Sequence, residues 1–201
     1  LSVTNRSDVQ RDLTLTGYAE FTNHSNYEQD QVNLQYSLFI SRTQFQSDRI
    51  IQQIHGNLDA LSEQEQIDEK NVTERFFGLS GANVSSYCGE KEHFLGKYHG
   101  YGDPQGIASG DLGNVTSYNE NSCGALSCIL SLAPGETRTV AYVLGAGGGS
   151  ESSAVLNTYT DPAEQTAREL AELKDDWQKK LDHLKVDTPS PEFNTMINTW
   201  N

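Results

Sequence analysis

Regular alternation of apolar and polar residues is the feature that most constrains how this chain can fold. Across residues 11–21, apolar or small residues occupy every second position and polar residues lie between them. A period of two places the two sets on opposite faces of an extended strand. This segment is therefore predicted to be a half-buried β-strand, and residues 32–40, 49–55 and 72–79 are predicted to form three more.

A β-hairpin is predicted around the Pro-Gly pair at residues 134–135. Residues 126–132 alternate in the same way, and residues 137–144 form a second β-rich run after the turn. Because strand follows strand with no helix between them, the pattern predicts a mainly β fold. It favours an antiparallel sandwich over a parallel α/β sheet.

Two segments are predicted to be irregular. Residues 57–70 are acidic and are expected to form a surface loop, and residues 80–121 are rich in Gly, Asn and Tyr. The second segment is predicted to contain long loops with short strands.

The pattern changes at residue 160. Asp161 suits the N-cap of a helix, Pro162 its first position and Glu164 its first turn. Apolar residues then recur at three- and four-residue spacing, which predicts one amphipathic helix of about 24 residues. Its apolar stripe requires a partner surface, and a second domain is the natural one. The stripe comprises Ala163, Ala167, Leu170, Leu173, Trp177, Leu181 and Leu184.

The two ends of the chain suggest a fragment. Residues 192–201 follow Pro191 as the opening of another helix, and Leu1 lies inside a predicted strand without an initiator Met. We therefore expect the front part of a larger protein, with its chemistry in the missing part.

Composition excludes several classes of partner. A net charge of −14 opposes non-specific binding to nucleic acids and to anionic membranes. No stretch has the roughly 18 apolar residues of a membrane span. Three cysteines do not form a disulfide framework, so buried free thiols in a reducing cytoplasm are expected.

No complete catalytic site emerges from the sequence. The glycine-rich run at residues 145–150 is either a degenerate phosphate cradle or an exit loop, and no βαβ pattern surrounds it. No metal-binding spacing and no nucleophile elbow are present. These spacings predict no metal site.

Two loops combine amide, carboxylate and aromatic side chains, the groups that suit sugar recognition. They cover residues 23–31 and residues 98–121. Turns rich in Asn and Asp have the same composition, so both interpretations stay open.

Four stretches carry a resemblance to a known family. They include VTNRS at residues 3–7, FLGKY at 94–98, NSCGAL at 121–126 and FNTMINTWN at 193–201. Their order resembles the N-terminal region of the inverting β-glycoside phosphorylases of glycoside hydrolase family 94, which includes cellobiose, cellodextrin, chitobiose and cellobionic acid phosphorylases. The resemblance covers nearly the whole chain.

The resemblance implies a mainly β fold: an antiparallel, galactose-mutarotase-like β-supersandwich, a linker α-helix and the first turn of a truncated (α/α)6 barrel. The corresponding expected boundaries are 1–160, 161–190 and 191–201. It implies that inorganic phosphate, as the co-substrate, attacks the anomeric carbon of a β-linked disaccharide. A sugar 1-phosphate is released without a metal or an organic cofactor. The general acid and the phosphate-binding residues would lie beyond Asn201. A cytoplasmic homodimer is implied, in which the sandwich helps to close the partner's sugar site.

The resemblance also implies substrate-contacting residues in the first loop. The candidates are Asn26, Tyr27, Gln29, Asp30 and Gln31. Cellobiose phosphorylases have a Trp-Asn stretch with an Arg nearby, whereas this loop has no Arg. This departure argues against plain cellobiose, and we expect a different reducing-end sugar, such as a sugar acid, or a modified disaccharide. The alternative is a free-standing β-sandwich carbohydrate-binding module, and a hydrolase of the same architecture is a third possibility.

Overall fold

The computed structural model of the chain describes residues 1–22, 41–55 and 72–200. Nine strands and five helices lie in these ranges. The strands are β1 (Ser2–Thr4), β2 (Arg11–Glu20), β3 (Ser41–Gln46), β4 (Arg49–His55), β5 (Val72–Ser80), β6 (Val84–Glu90), β7 (Ser122–Leu132), β8 (Thr137–Thr139) and β9 (Ala141–Ala146). The helices are α1 (Lys91–Leu95), α2 (Gln105–Ala108), α3 (Gly149–Thr158), α4 (Pro162–Leu181) and α5 (Pro191–Trp200).

The described strands form two larger antiparallel sheets and one small one. A four-stranded sheet has the order β3-β4-β5-β9, and a three-stranded sheet has the order β2-β7-β6. Strands β1 and β8 pair separately. The prediction of a mainly antiparallel β fold is therefore confirmed.

The main core lies between the two larger sheets. Strands β4 and β5 contribute Ile50, Phe77 and Leu79, and alternate residues of β7 from Leu126 to Leu132 belong to the same buried cluster. Leu13, Leu15 and Ala19 of β2 pack against it, as the alternation predicted. Burying a large apolar side chain completely stabilises the fold by about 1.5–3 kcal/mol.

Helices cover the outer faces of both sheets. Leu156 of α3 packs with Ile51 and Phe76 on the outside of the four-stranded sheet. Phe94 of α1 packs with Cys88 and Cys123 on the outside of the three-stranded sheet. All three thiols are free and buried, as predicted.

The predicted hairpin at residue 134 is wrong. The turn exists, with Gly135 at a φ of 76°, but β7 pairs with β2 on one side and β6 on the other. Both edges of β7 are thus occupied. The returning segment divides at Val140, so β8 joins β1 and β9 joins the other sheet beside β5.

Residues 80–121 are more regular than predicted. They contain the seven-residue strand β6 and the short helices α1 and α2. The polar strand β3 was also not predicted, because its sequence SRTQFQ lacks apolar alternation. The strand predicted at 32–40 and the acidic loop predicted at 57–70 lie outside the described residues.

The chain forms two compact units, Leu1–Pro162 and Ala163–Asn201. Helix α4 begins at Pro162, where the capping pattern predicted it, but ends at Leu181 after 20 residues. Within the second unit, Asn198 of α5 exchanges two hydrogen bonds of 2.9 Å with the backbone of Val186. Among the described residues, no helix combines the length and the apolar composition that crossing a membrane requires.

Candidate functional site

The structure describes one of the two loops that were predicted to contact sugar. Asn26, Tyr27, Gln29, Asp30 and Gln31 lie outside the described residues, so their placement stays a prediction. Residues 98–121 are described, and part of this segment lies at one end of the three-stranded sheet.

Three strand ends converge at this end of the sheet. Glu20 closes β2 opposite Cys123, and Glu90 closes β6 opposite Ser122 at the start of β7. Antiparallel pairing therefore brings the residues that follow β2 and β6 beside those that precede β7. Lys91 and Asn121 are the residues next in line, and the backbone N–H of Lys91 donates to the Asn121 carbonyl at 2.9 Å.

Glu20 is the centre of the polar contacts at this end. Its carboxylate accepts hydrogen bonds from the Tyr18 hydroxyl at 2.9 Å, from Lys91 Nζ at 3.0 Å and from the Tyr101 hydroxyl. Lys91 and Tyr101 are 71 and 81 residues away from Glu20 in sequence. We call Tyr18, Glu20, Lys91 and Tyr101 the Glu20 cluster.

The contacts of the cluster fix its charges. Partial burial opposes ionisation of Glu20, but the hydrogen bonds from Tyr101, Lys91 and Tyr18 outweigh it and lower the pKa of Glu20. Burial likewise opposes the charge of Lys91, but interactions with Tyr101 and Glu20 raise the pKa of Lys91. Burial, followed by the surrounding negative groups, raises the pKa of Tyr18. At neutral pH Glu20 and Lys91 therefore form an ion pair beside the neutral phenol of Tyr18.

Tyr101 presents an exposed ring held from one side. Lys91 Nζ lies 5.4 Å from the ring centroid, and the Tyr18 ring meets it edge-on at 6.5 Å. Tyr18 in turn stacks on the buried Phe94 at 4.4 Å. The Tyr101 residue is nevertheless 63% exposed. The ring is thus linked to the core through Tyr18, while most of the residue stays exposed.

The loop that carries Tyr101 has its own local support. The backbone N–H of Gly100 donates to Asp103 Oδ1 at 3.3 Å, and His99 Nδ1 lies 3.0 Å from Asp103 Oδ2. The backbone contact of Gly100 and then His99 lower the pKa of Asp103. Apart from the chain neighbours, a Cβ atom added at Gly100 or at Gly102 would meet no described residue within 4 Å. The two residues that flank Tyr101 thus place no side chain beside its ring.

The other predicted residues of this segment are dispersed. Asn121 Nδ2 donates to Glu92 Oε1, next to the Glu20 cluster. Tyr98 and Tyr118 are both exposed. Tyr98 lies in a turn with a φ of 67°, and Tyr118 forms an isolated antiparallel bridge with Arg42. Asn119, with a φ of 59°, donates its backbone N–H to the Ser41 carbonyl at 3.0 Å. The structure thus brings Tyr101 and Asn121 to one place and uses Asn119 in a turn.

A cavity of about 730 Å³ lies elsewhere in the first unit, by the turn between β5 and β6. Among the described residues, its lining includes Asp48, Arg138 and Leu156 but no aromatic side chain. It lacks the ring surface that the Glu20 cluster offers.

The glycine-rich run at 145–150 has no free helix end for a phosphate. Glu151 Oε2 accepts a hydrogen bond from the Gly148 N–H at 3.1 Å at the start of α3. The carboxylate occupies the position that an anion would need.

The family model described as "Glycosyl hydrolase 94, supersandwich domain" matches residues 1–172. The chain belongs to this family. Among its relatives, an N,N'-diacetylchitobiose phosphorylase from Vibrio proteolyticus is 32% identical over 128 residues, which are 63% of this chain and 16% of the relative. The protein of that name from Vibrio furnissii is 31% identical over 118 residues, 59% of this chain and 14% of the relative.

Two other relatives have different names. A solabiose phosphorylase from Paenibacillus borealis is 26% identical over 149 residues, 71% of this chain and 19% of the relative. The cyclic β-(1,2)-glucan synthase NdvB of Rhizobium meliloti is 32% identical over 126 residues, 62% of this chain but 4% of that protein. The matched part of this supersandwich domain therefore spans less than a fifth of the length of each relative.

Three residues of the Glu20 cluster were not predicted from the sequence as site residues. The alternation placed Tyr18 and Glu20 on the polar side of β2, and Lys91 fell within a segment predicted to be irregular. None of the three carries a motif. The available signal was weak: Glu20 is the last polar residue of a strand directly before a loop predicted to bind sugar.

Proposed function

We propose that the chain is the non-catalytic N-terminal part of an inverting β-glycoside phosphorylase. The enzyme would convert a β-linked disaccharide and phosphate into a sugar 1-phosphate and a released sugar. The strongest support is the family match over residues 1–172, together with relatives that are named disaccharide phosphorylases.

In this proposal the three parts of the chain have different roles. Residues 1–160 form the supersandwich, residues 161–190 link it to the catalytic part, and residues 191–201 begin an (α/α)6 barrel. The half-exposed apolar stripe of α4 and the helix α5 are compatible with that division. The supersandwich would serve dimerisation and closure of the partner's sugar site in a cytoplasmic homodimer, and three buried thiols suit a reducing compartment.

The first loop would supply the contacts to the sugar. Asn26, Tyr27, Gln29, Asp30 and Gln31 offer amide, carboxylate and phenol groups for hydroxyls. The two Vibrio relatives are named for an N-acetylated disaccharide. Since this loop lacks an Arg, N,N'-diacetylchitobiose is a better first candidate than cellobiose.

The test uses the polypeptide as its source cells make it. It is incubated with N,N'-diacetylchitobiose, cellobiose or cellobionic acid, each with and without phosphate, and the products are followed by NMR. We expect release of an α-configured sugar 1-phosphate that depends on phosphate. Equal release of free sugar without phosphate would instead identify a hydrolase.

The mass of the denatured natural polypeptide distinguishes the phosphorylase from the alternative, a free-standing carbohydrate-binding module. A band several times heavier than 22.2 kDa supports an enzyme with a separate catalytic part. A band at that mass, combined with no turnover of any of the three sugars, would overturn the enzyme and favour a carbohydrate-binding module.

A further inference from the structure

The Glu20 cluster combines an exposed aromatic ring with a fixed ion pair. We propose that the ring of Tyr101 stacks on a pyranose ring of a β-linked oligosaccharide. Glu20 and Lys91 act as positioning residues that hold the Tyr101 ring in place. The ligand class rests on the proposed function, but the site lies on described residues outside the first loop.

The geometry leaves one side of Tyr101 for a ligand. Lys91 Nζ and the Tyr18 edge take up part of the ring's surroundings, yet the residue stays 63% exposed. The flanking residues, Gly100 and Gly102, carry no side chains, and apart from their chain neighbours no described residue lies within 4 Å of where a Cβ at either position would be. Neither flanking residue therefore places a side chain over the ring of Tyr101.

The chemistry of the ring suits a sugar. A pyranose presents a face of C–H groups made slightly positive by the ring and hydroxyl oxygens, and the face of a phenol carries the negative part of its quadrupole. The hydroxyl of Tyr101 donates to an ionised carboxylate, which adds electron density to the ring. Sugar hydroxyls at the ring's edge would find the ammonium group of Lys91 as a polar neighbour.

Pre-organisation separates Tyr101 from the other exposed tyrosines. Its hydroxyl is bound to Glu20, so little side-chain entropy remains to be lost when a ligand stacks. Tyr98 is 95% exposed and its ring lies beside Lys97, the residue next to it in sequence. Tyr98 thus offers a similar area without the anchoring, which makes it a matched control.

The experiment measures binding of N,N'-diacetylchitobiose and cellobiose to the 201-residue chain by saturation-transfer NMR, without phosphate. We expect wild-type chain to saturate sugar ring protons at millimolar sugar. Tyr101→Ala and Tyr101→Leu should each weaken binding by about tenfold, because neither keeps a π face. Tyr101→Phe should lose only about twofold to threefold, and Tyr98→Ala should change binding by less than about twofold.

Three results would overturn the proposal: no saturation of either sugar by the wild-type chain, unchanged binding in Tyr101→Leu, or an equal loss in Tyr98→Ala. Thermal unfolding of each variant verifies that it is folded at the assay temperature, and Tyr101→Leu keeps apolar bulk if Tyr101→Ala is not folded. Absence of phosphorolysis by the natural polypeptide would overturn the proposed function and leave a positive binding result intact. Unchanged sugar binding in the Tyr101→Leu variant would overturn only the inference about Tyr101.

Discussion

Helices α3 and α4 follow one another in the chain but differ in what holds them. Helix α3 buries Leu156 against Ile51 and Phe76, residues far away in sequence. Arg49 adds hydrogen bonds to the Gly149 carbonyl at 3.0 Å and to Ser153 Oγ at 2.6 Å. The contacts of α4 include the local pair of Lys179 and Asp175 at 2.5 Å, and its leucines are about half exposed.

The difference teaches that an apolar stripe does not by itself bury a helix. The stripe of α4 is the more regular in sequence, yet α3 has the buried leucine. What α3 has is a surface shaped for it: Gly78 of β5 leaves the space that the Leu156 side chain occupies. Burial depends on the neighbour as much as on the helix.

The largest expected effect comes from removing the buried anchor of α3. Leu156→Ala should lower the free energy of unfolding by about 2–5 kcal/mol, since it loses apolar burial and leaves a cavity beside Phe76. Urea denaturation of the chain, followed by circular dichroism, measures it. A loss below about 1 kcal/mol would mean that α3 is not docked as described.

A smaller effect is expected from filling the space under α3. A Cβ atom at Gly78 would lie 2.7 Å from both methyl carbons of Leu156. Gly78→Ala should therefore lower the free energy of unfolding by about 1–3 kcal/mol through overpacking. Gly100→Ala is the control for Gly78→Ala, because a Cβ atom at Gly100 meets open space. Gly135→Ala is not suitable as a control, because the positive φ of Gly135 would strain an alanine. If Gly78→Ala and Gly100→Ala have equal effects by urea denaturation, close packing under α3 is refuted.

The Glu20 cluster extends the comparison to ion pairs. Glu20 has a folded-state pKa below its ordinary 4.5, so its stabilisation is complete above that pH and is lost as pH falls through the folded-state value. Glu20→Gln should lower the free energy of unfolding by about 1 kcal/mol or less at pH 7. It should also remove the loss of stability that protonation of Glu20 causes at low pH. Thermal unfolding between pH 7 and pH 3 measures both.

Asp175→Asn is the control for Glu20→Gln, because Asp175 pairs with Lys179 within one helix. The local pair should contribute about 0.5 kcal/mol or less. If thermal unfolding of the two variants depends on pH in the same way, the ion pair between distant segments stabilises the fold no more than the local pair does.

The smallest effect is expected on the stripe of α4. Leu173 is 55% exposed and both Leu and Ala favour helix, so Leu173→Ala should change the free energy of unfolding of this chain by less than about 0.5 kcal/mol. The same substitution in the natural polypeptide should cost about 2–5 kcal/mol if the stripe is covered there, as the proposed linker role requires. Equal small effects in both would contradict that role.

Local signals in the sequence predicted much of the fold. The alternation of residues 11–21 located β2, and Asp161 with Pro162 located the start of α4. Both signals act over a few residues, since a strand's period and a helix cap are properties of adjacent positions. Strand β3 was missed for the same reason, because its polar sequence carries no period.

The tertiary structure decided which strands pair with one another. The sequence placed two β-rich runs around a turn, but whether they pair depends on which strands already occupy the edges of β7. The Glu20 cluster likewise joins residues 71 and 81 positions apart. The sequence by itself determined where strands and helices form and which family the motifs resemble. The tertiary structure decided which strands pair, which helix is buried and which tyrosine is held, because these depend on packing and charge contacts between residues that are distant in the chain.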